Sequence, residues 1–173
     1  MMNPKPPKNH KETGLTMKRK KLLAVSAISL ALLSSAALAE ITFRNAITGE
    51  PLDMSVAKTG GNQEVFKQFK ETGKNPYNGD KEAIKKGHDL YLPACSGCHG
   101  HEAEGKLGPG LGDDYWTYPA AAKDQGLFEI LFGGASGMMG PQYVNLSTDE
   151  MLLIMSWIRD IYNGDPKKAK WLK

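Results

Sequence analysis

The chain has 173 residues, with 22 basic and 19 acidic residues and a formal net charge of +3. The positive charge lies at the start: residues 1–39 hold seven basic residues and one acidic residue, so residues 40–173 carry a net charge of −3. A weakly acidic domain argues against nucleic acid or an anionic membrane surface as its partner. The 134 residues that follow position 39 fit one domain of ordinary size.

Residues 1–39 have the pattern of a signal peptide. A basic cluster at 18–21 precedes an apolar run at 22–33, and a small-x-small cleavage site ends at Ala39. The apolar run is shorter than the roughly twenty residues that a membrane-spanning helix needs. We therefore predict export to a bacterial periplasm, cleavage after Ala39 and no stable membrane association afterwards. An uncleaved anchor is the alternative, and Met17 is a second candidate start.

Residues 40–79 are predicted to form an N-terminal extension. The apolar residues of 41–46 suggest a short strand, and residues 64–72 carry Val65, Phe66 and Phe69 at helical spacing. So few apolar residues cannot bury a core of their own. We expect a strap packed on the surface of the domain that follows.

The domain at 80–173 is predicted to begin with a helix over residues 80–92. Asp80 is a suitable N-cap, and Pro93 is expected to end the helix. Gly87 lies in the middle of this helix, where it suggests a close crossing by another helix. His88 is expected to be a packed or surface histidine rather than a ligand.

Residues 95–99 read Cys-Ser-Gly-Cys-His, the attachment signature of a c-type haem. Cys95 and Cys98, the only cysteines, can each add to a vinyl group of the porphyrin, and His99 can bind the iron as its proximal ligand. Three alternatives use the same residues. A disulfide would close a very short loop and stabilise little, a thioredoxin-like pair needs a βαβ context, and a zinc site needs two further ligands, of which His101 could supply one. The motif favours haem.

The loop over residues 100–112 is rich in glycine, which lets a chain lie closely against a flat haem. Pro109 provides a carbonyl that could accept a hydrogen bond from the second ring nitrogen of His99 and fix its orientation. Three aromatic residues follow, Tyr115, Trp116 and Tyr118. They can wall a pocket or donate to a haem propionate, and we expect Trp116 to be the donor.

A second helix is predicted over residues 124–132, ended by two glycines at 133–134. The glycine-flanked loop that follows contains Met138 and Met139, outside any helical core pattern. A thioether from this loop is the natural second axial ligand of the iron. Adjacent residues of an extended chain point to opposite sides, so only one of the two can face it.

A capping box of Ser147 and Glu150 predicts the start of the last helix. Its apolar stripe should pack on the helix at 80–92, with Gly87 near Trp157 or Ile158. The turn residues at 163–166 are expected to end it, and the basic tail at 167–173 is expected to lie on the surface.

This order of elements resembles the class I cytochrome c fold: an all-α domain with one covalent haem, three main helices and Gly-rich loops. In small c-type cytochromes the ligand methionine usually lies shortly before a proline, which favours Met139, with Met138 as the alternative. The loop sequences are similar to those of cytochrome c-L, a resemblance that covers nearly all of residues 40–173. It is carried by residues 43–50, 96–101, 104–111, 115–119 and 133–141.

The resemblance implies an electron carrier, not an enzyme. Cytochrome c-L accepts electrons in the periplasm of methylotrophic bacteria from a methanol dehydrogenase that uses pyrroloquinoline quinone (PQQ). It passes them to a downstream c-type cytochrome. We expect a monomer with one haem c, and the sequence leaves open a calcium ion in the haem pocket. The alternatives are a generic electron carrier for another dehydrogenase, a small haem enzyme such as a peroxidase, and a gas-sensing haem module.

Overall fold

The computed structural model describes residues 1, 2, 4 and 40–172, and residues 40–172 belong to one compact unit. The predicted signal peptide therefore lies almost wholly outside the described residues. The described region contains four α-helices and no strand, which confirms the all-α prediction. None of these described helices is long and apolar enough to cross a membrane. The helices are α1 (Gln63–Thr72), α2 (Lys81–His99), α3 (Asp124–Gly133) and α4 (Thr148–Asp160), with short 3-10 turns at Met54–Val56, Pro119–Ala122 and Lys170–Leu172.

Helices α2 and α4 cross at Gly87, where the two backbones come into direct contact. A Cβ atom at this position would lie 2.0 Å from the carbonyl oxygen of Leu153, so only glycine fits. The predicted crossing partner was wrong by about one turn of α4. Trp157 instead stacks beside the crossing, with its ring centroid 4.8 Å from that of His88 and 4.3 Å from that of Tyr91.

Helix α2 continues through Pro93 and ends at His99, so the prediction that Pro93 ends it was wrong. A proline inside a helix removes one backbone hydrogen bond and strains the preceding turn. Here Pro93 is exposed, whereas both neighbouring turns are anchored. Tyr91 is fully buried and donates from its hydroxyl to the Gly100 carbonyl at 2.8 Å, and the Ser96 hydroxyl donates to the Leu92 carbonyl at 2.6 Å. These tertiary and local contacts outweigh the local cost of the proline.

The predicted capping box at the start of α4 is confirmed. The Ser147 hydroxyl accepts from the Glu150 amide at 3.2 Å, and the Glu150 carboxylate accepts from the Ser147 amide at 2.7 Å. The helix ends at Asp160, a few residues earlier than predicted, because the Asn163 amide donates to the Gly112 carbonyl at 2.7 Å and draws the chain away.

The N-terminal segment packs on the rest of the domain and contributes side chains to its core. Phe43, Phe66 and Phe69 are buried and pack against Phe128 of α3, with the Phe43 and Phe128 ring centroids 4.9 Å apart. The short strand expected at residues 41–46 does not form: the described chain there makes a single β-bridge from Arg44 and then turns. An aromatic cluster therefore joins this segment to the rest of the fold.

The basic tail also enters the interior, contrary to the prediction that it lies on the surface. Ala169 and Trp171 are both buried. The Trp171 ring lies 4.0 Å from the Arg159 guanidinium and packs edge-on against Tyr162. This cation–π contact with a buried guanidinium holds the tail in a specific position.

A buried ion pair fixes the start of α3 against α4. The Asp124 carboxylate is 1% exposed and accepts from the Arg159 Nε at 2.9 Å. Its other oxygen accepts from the Asn75 amide and the Asn78 side chain, while Arg159 also donates to the Ala121 carbonyl. Burial lowers the pKa of Arg159, and the neighbouring Asp124 opposes that shift.

Candidate functional site

The candidate site begins with two free thiols in the last turns of α2. Cys95 is half-buried and Cys98 is exposed. Burial, and next the charge of Cys98, raises the pKa of Cys95 to about 11. Residues three apart on a helix share a face. The two thiols can therefore reach the same edge of one planar group.

His99, the final residue of α2, has a ring held in one orientation. Its Nδ1 lies 2.8 Å from the carbonyl oxygen of Pro109, and the residue is 9% exposed. Because a carbonyl oxygen only accepts, Nδ1 carries the proton and Nε2 carries the lone pair. No residue in the described part of the chain hydrogen-bonds Nε2, which leaves that nitrogen available to a metal.

The Gly-rich loop is folded back onto the end of α2, and this places Pro109 beside the imidazole. The Gly105 amide donates to the His99 carbonyl at 2.7 Å, and the Gly108 amide donates to the Cys98 carbonyl at 2.9 Å. A Cβ at position 108 would lie 2.6 Å from the Cε1 of His99. Only a glycine at position 108 allows the loop to lie this close to the ring.

Trp116, the expected propionate donor, is half-buried against the core. The Arg159 guanidinium lies 5.4 Å from its ring centroid, a cation–π distance. The indole N–H donates to no described residue and stays available to a ligand. Of the neighbouring aromatics, Tyr115 is 68% exposed, while Tyr118 is partly buried and bonded to Ser136.

The two methionines of the loop after α3 have different environments. Met138 is 80% exposed, whereas Met139 is half-buried and packs against the hydrophobic core. The Ala135 amide donates to the Met139 carbonyl at 2.9 Å and closes the loop. Of the two thioethers, that of Met139 is directed toward the interior.

Three features near the site were not predicted from the sequence. One is the Tyr118–Ser136 contact, and another is the Arg159–Asp124 pair. The third is a pair of hydrogen bonds to Asp114, whose carboxylate accepts from the Tyr162 hydroxyl and from the Lys168 ammonium. Those two hydrogen bonds lower the pKa of Asp114 to about 2. The one available signal was Arg159, which follows the largely apolar run Met151–Ile158 of helix α4.

The described residues contain no group of three or more His, Cys, Asp or Glu side chains arranged to hold a metal ion. His101 is exposed and His88 is stacked on Trp157. The site therefore consists of the paired thiols, the oriented imidazole and the loops around them.

The helix order, the C-x-x-C-H turn at the end of α2 and the methionine loop define a class I c-type cytochrome, an electron-transfer protein and not an enzyme. Residues 82–158 match the protein family described as cytochrome c oxidase, cbb3-type, subunit III. The match runs from the start of α2 almost to the end of α4 and confirms the predicted cytochrome c fold. Proteins of this class carry covalent haem c.

Comparison with individual proteins shows which family of c-type cytochromes this chain resembles. The chain is 54% identical over 133 residues to cytochrome c-L of Methylorubrum extorquens, which covers 76% of this chain and 68% of that protein. The crystal structure of cytochrome cL from Methylophaga aminisulfidivorans is 57% identical, with a TM-score of 0.75, over 78% of this chain and 89% of that one. That from Hyphomicrobium denitrificans is 48% identical, with a TM-score of 0.73, over 78% and 82%. The chain belongs to the cytochrome c-L family, as its loop sequences predict.

Proposed function

We propose that this c-type cytochrome is a periplasmic one-electron carrier that accepts electrons from a PQQ-dependent methanol dehydrogenase and passes them to a downstream c-type cytochrome. The observation that carries the proposal is the oriented imidazole of His99 beside two free thiols, in a chain of the cytochrome c-L family. Processing after Ala39 and a monomeric state belong to the same proposal.

The residues present fit a covalent haem. Cys95 and Cys98 would hold the porphyrin, each thiol adding its sulfur and its hydrogen across one vinyl double bond with nothing released. His99 would hold the iron through Nε2, because Nδ1 is engaged by the Pro109 carbonyl at 2.8 Å. When bound, haem c supplies one iron that takes up and gives up a single electron at a time.

Met139 is the proposed second axial ligand, and its half-buried side chain supports this choice over the exposed Met138. A thioether opposite an imidazole raises the reduction potential. If His99 and Met139 both held the iron, the chain would leave no position for oxygen or peroxide. Trp116 is proposed to donate its unpaired indole N–H to a haem propionate.

The proposed docking surface surrounds the haem edge. Leu107 is 74% exposed and lies next to Gly108, which contacts the His99 ring; Met138 is 80% exposed and lies next to Met139. Exposed apolar side chains of this kind suit a transient redox contact, which often buries less than roughly 1,200 Å² in total. A small contact allows the donor to leave before the acceptor arrives.

Stopped-flow reduction of the haem-loaded protein by purified methanol dehydrogenase and methanol tests the partner. We expect rapid reduction, and slower reduction by a PQQ-dependent dehydrogenase for other alcohols. Leu107→Lys should slow the reaction by changing the docking surface, whereas Val144→Lys, at an exposed apolar position (67%) not assigned to that surface, serves as the control for an added lysine. Reduction by the other dehydrogenase alone, at moderate ionic strength, would establish a generic carrier and refute the methanol partner.

A further inference from the structure

The hydroxyl of Tyr118 makes two hydrogen bonds to one residue of the methionine loop. The Ser136 amide donates to the Tyr118 hydroxyl oxygen at 2.8 Å, and the Tyr118 hydroxyl donates to the Ser136 hydroxyl oxygen at 2.8 Å. The two residues are 18 positions apart in the chain. A single phenol therefore holds both the backbone and the side chain of Ser136.

The loop that Tyr118 holds has few other fixed points. Helix α3 ends with the Gly134 amide donating to Ile130, and beyond the loop the Gln142 amide donates to Leu131 at 3.0 Å. Between these anchors, the Ala135 amide donates to the Met139 carbonyl and the Gly140 amide donates to Met138. Those two bonds lie within the loop, so they set its shape without tying it to the rest of the fold. Among the described residues, the hydrogen bonds that tie its outer part to another segment are those between Ser136 and Tyr118.

Tyr118 is itself on a rigid support. It precedes the 3-10 turn Pro119–Ala122, and the Ala121 amide donates to the Tyr118 carbonyl at 2.9 Å. Ala121 and Ala122 are buried, and the Ala121 carbonyl accepts from the buried Arg159. The phenol thus connects a loop with few anchors to a packed part of the core.

We propose that Tyr118 is a positioning residue for the axial methionine: its two hydrogen bonds to Ser136 hold the loop in the conformation that keeps Met139 at the iron. This inference rests on the proposed function, in which Met139 is the second ligand. Loss of the phenol hydroxyl allows the loop to open more often, because the open state no longer breaks two hydrogen bonds. An external ligand then competes more easily for the sixth position.

Binding of imidazole to the ferric, haem-loaded protein measures how readily the methionine leaves. We expect Tyr118→Phe to raise the imidazole association constant about tenfold, since each net hydrogen bond contributes roughly a two- to tenfold factor. Ser136→Ala removes one of the two bonds and should give about threefold. The double variant should match Tyr118→Phe alone, because both changes act through one contact. If Tyr118→Phe does not fold, Ser136→Ala carries the test.

Tyr143→Phe is the matched control: it also removes a phenol hydroxyl, and that hydroxyl has no hydrogen-bond partner among the described residues. Its imidazole affinity should equal that of the wild type. Equal affinities for Tyr118→Phe and the control, even with lower stability to urea, would overturn the inference while leaving the proposed function intact. A wild-type ferric spectrum without the methionine-to-iron charge-transfer band would instead overturn the methionine ligation, and this inference with it.

Discussion

Gly108→Ala should disturb His99, the proposed iron ligand, without replacing either cysteine. The new Cβ would lie 2.6 Å from Cε1 and 2.9 Å from Nδ1 of His99, and real Cβ atoms essentially never approach another atom within 3.0 Å. The ring and the loop must therefore move apart, which stretches the 2.8 Å contact between Nδ1 and the Pro109 carbonyl. Overpacking of this kind typically costs about 1–3 kcal/mol of the free energy of unfolding.

The same change should raise the reduction potential. A hydrogen bond from Nδ1 to a carbonyl makes the imidazole a stronger donor, which stabilises the ferric state. If the 0.5–1.5 kcal/mol of a typical hydrogen bond were lost wholly from that state, the potential would rise by about 20–65 mV, at about 59 mV for each tenfold change. We expect a rise within that limit, measured by spectroelectrochemical titration of the haem-loaded protein.

Gly97→Ala is the matched control for this prediction. It lies within the motif, between the two cysteines, and a Cβ there would meet no described atom within 4 Å. Alanine in a helix interior is favoured over glycine by roughly 0.5–1 kcal/mol, so this variant should be neutral or slightly more stable. If Gly108→Ala had the same potential and the same unfolding free energy as Gly97→Ala, the reasoning from close approach would be refuted.

Three further changes have distinct expected results. Asp124→Asn should lower the free energy of unfolding in urea by about 3–5 kcal/mol, because it leaves the Arg159 guanidinium buried without its countercharge. The Asp114 pKa is lowered from 3.8 to about 2, so this carboxylate stabilises the fold fully above pH 4, and that contribution should disappear as the pH falls toward 2. Asp114→Asn should therefore flatten the acid side of the stability–pH curve. Met139→Ala should allow carbon monoxide to bind the reduced protein rapidly, whereas Met138→Ala should not.

Each of these predictions can be contradicted by a specific result. Asp89→Asn removes an exposed carboxylate that pairs with Lys85 at 3.0 Å, and it should change the free energy of unfolding only slightly because solvent screens the pair. An Asp124→Asn variant as stable as Asp89→Asn would show that the buried pair is replaceable. An unchanged acid side of the stability–pH curve in Asp114→Asn would show that the hydrogen bonds to Asp114 do not account for it. If carbon monoxide bound rapidly to Met138→Ala but not to Met139→Ala, Met138 and not Met139 would be the axial ligand.

Local signals accounted for much of the fold. The capping box of Ser147 and Glu150, the second helix ended by glycines, and the α2–α4 packing all follow from residues a few positions apart or from apolar periodicity. Pro93 shows where this reasoning failed. A local rule ends a helix at proline, but the buried Tyr91 and the Gly100 carbonyl it reaches hold the chain helical beyond it.

Contacts between distant residues could not be derived in this way. Phe43 packs against Phe128, which lies 85 positions later in the chain. Trp171 contacts Arg159 only because the chain turns back after α4. In the candidate site, residue types indicated the thiols, the histidine and Pro109, since their spacing carries the chemistry. The hydrogen bond between Tyr118 and Ser136 could not be predicted, because no motif in the sequence links a tyrosine and a serine 18 positions apart.

The contact between Gly87 and Leu153 fixes the position of α2 along its own axis, and so the distance from the crossing to His99. His99 lies twelve positions after Gly87, about 18 Å along the helix axis at 1.5 Å per residue. Sliding α2 by one residue at the crossing would displace the imidazole by about 1.5 Å along the axis and turn it by about 100° around it. The placement of the His99 Nε2, the nitrogen proposed to bind iron, thus depends on the helix crossing, and a larger residue at Gly87 would displace an imidazole twelve positions away.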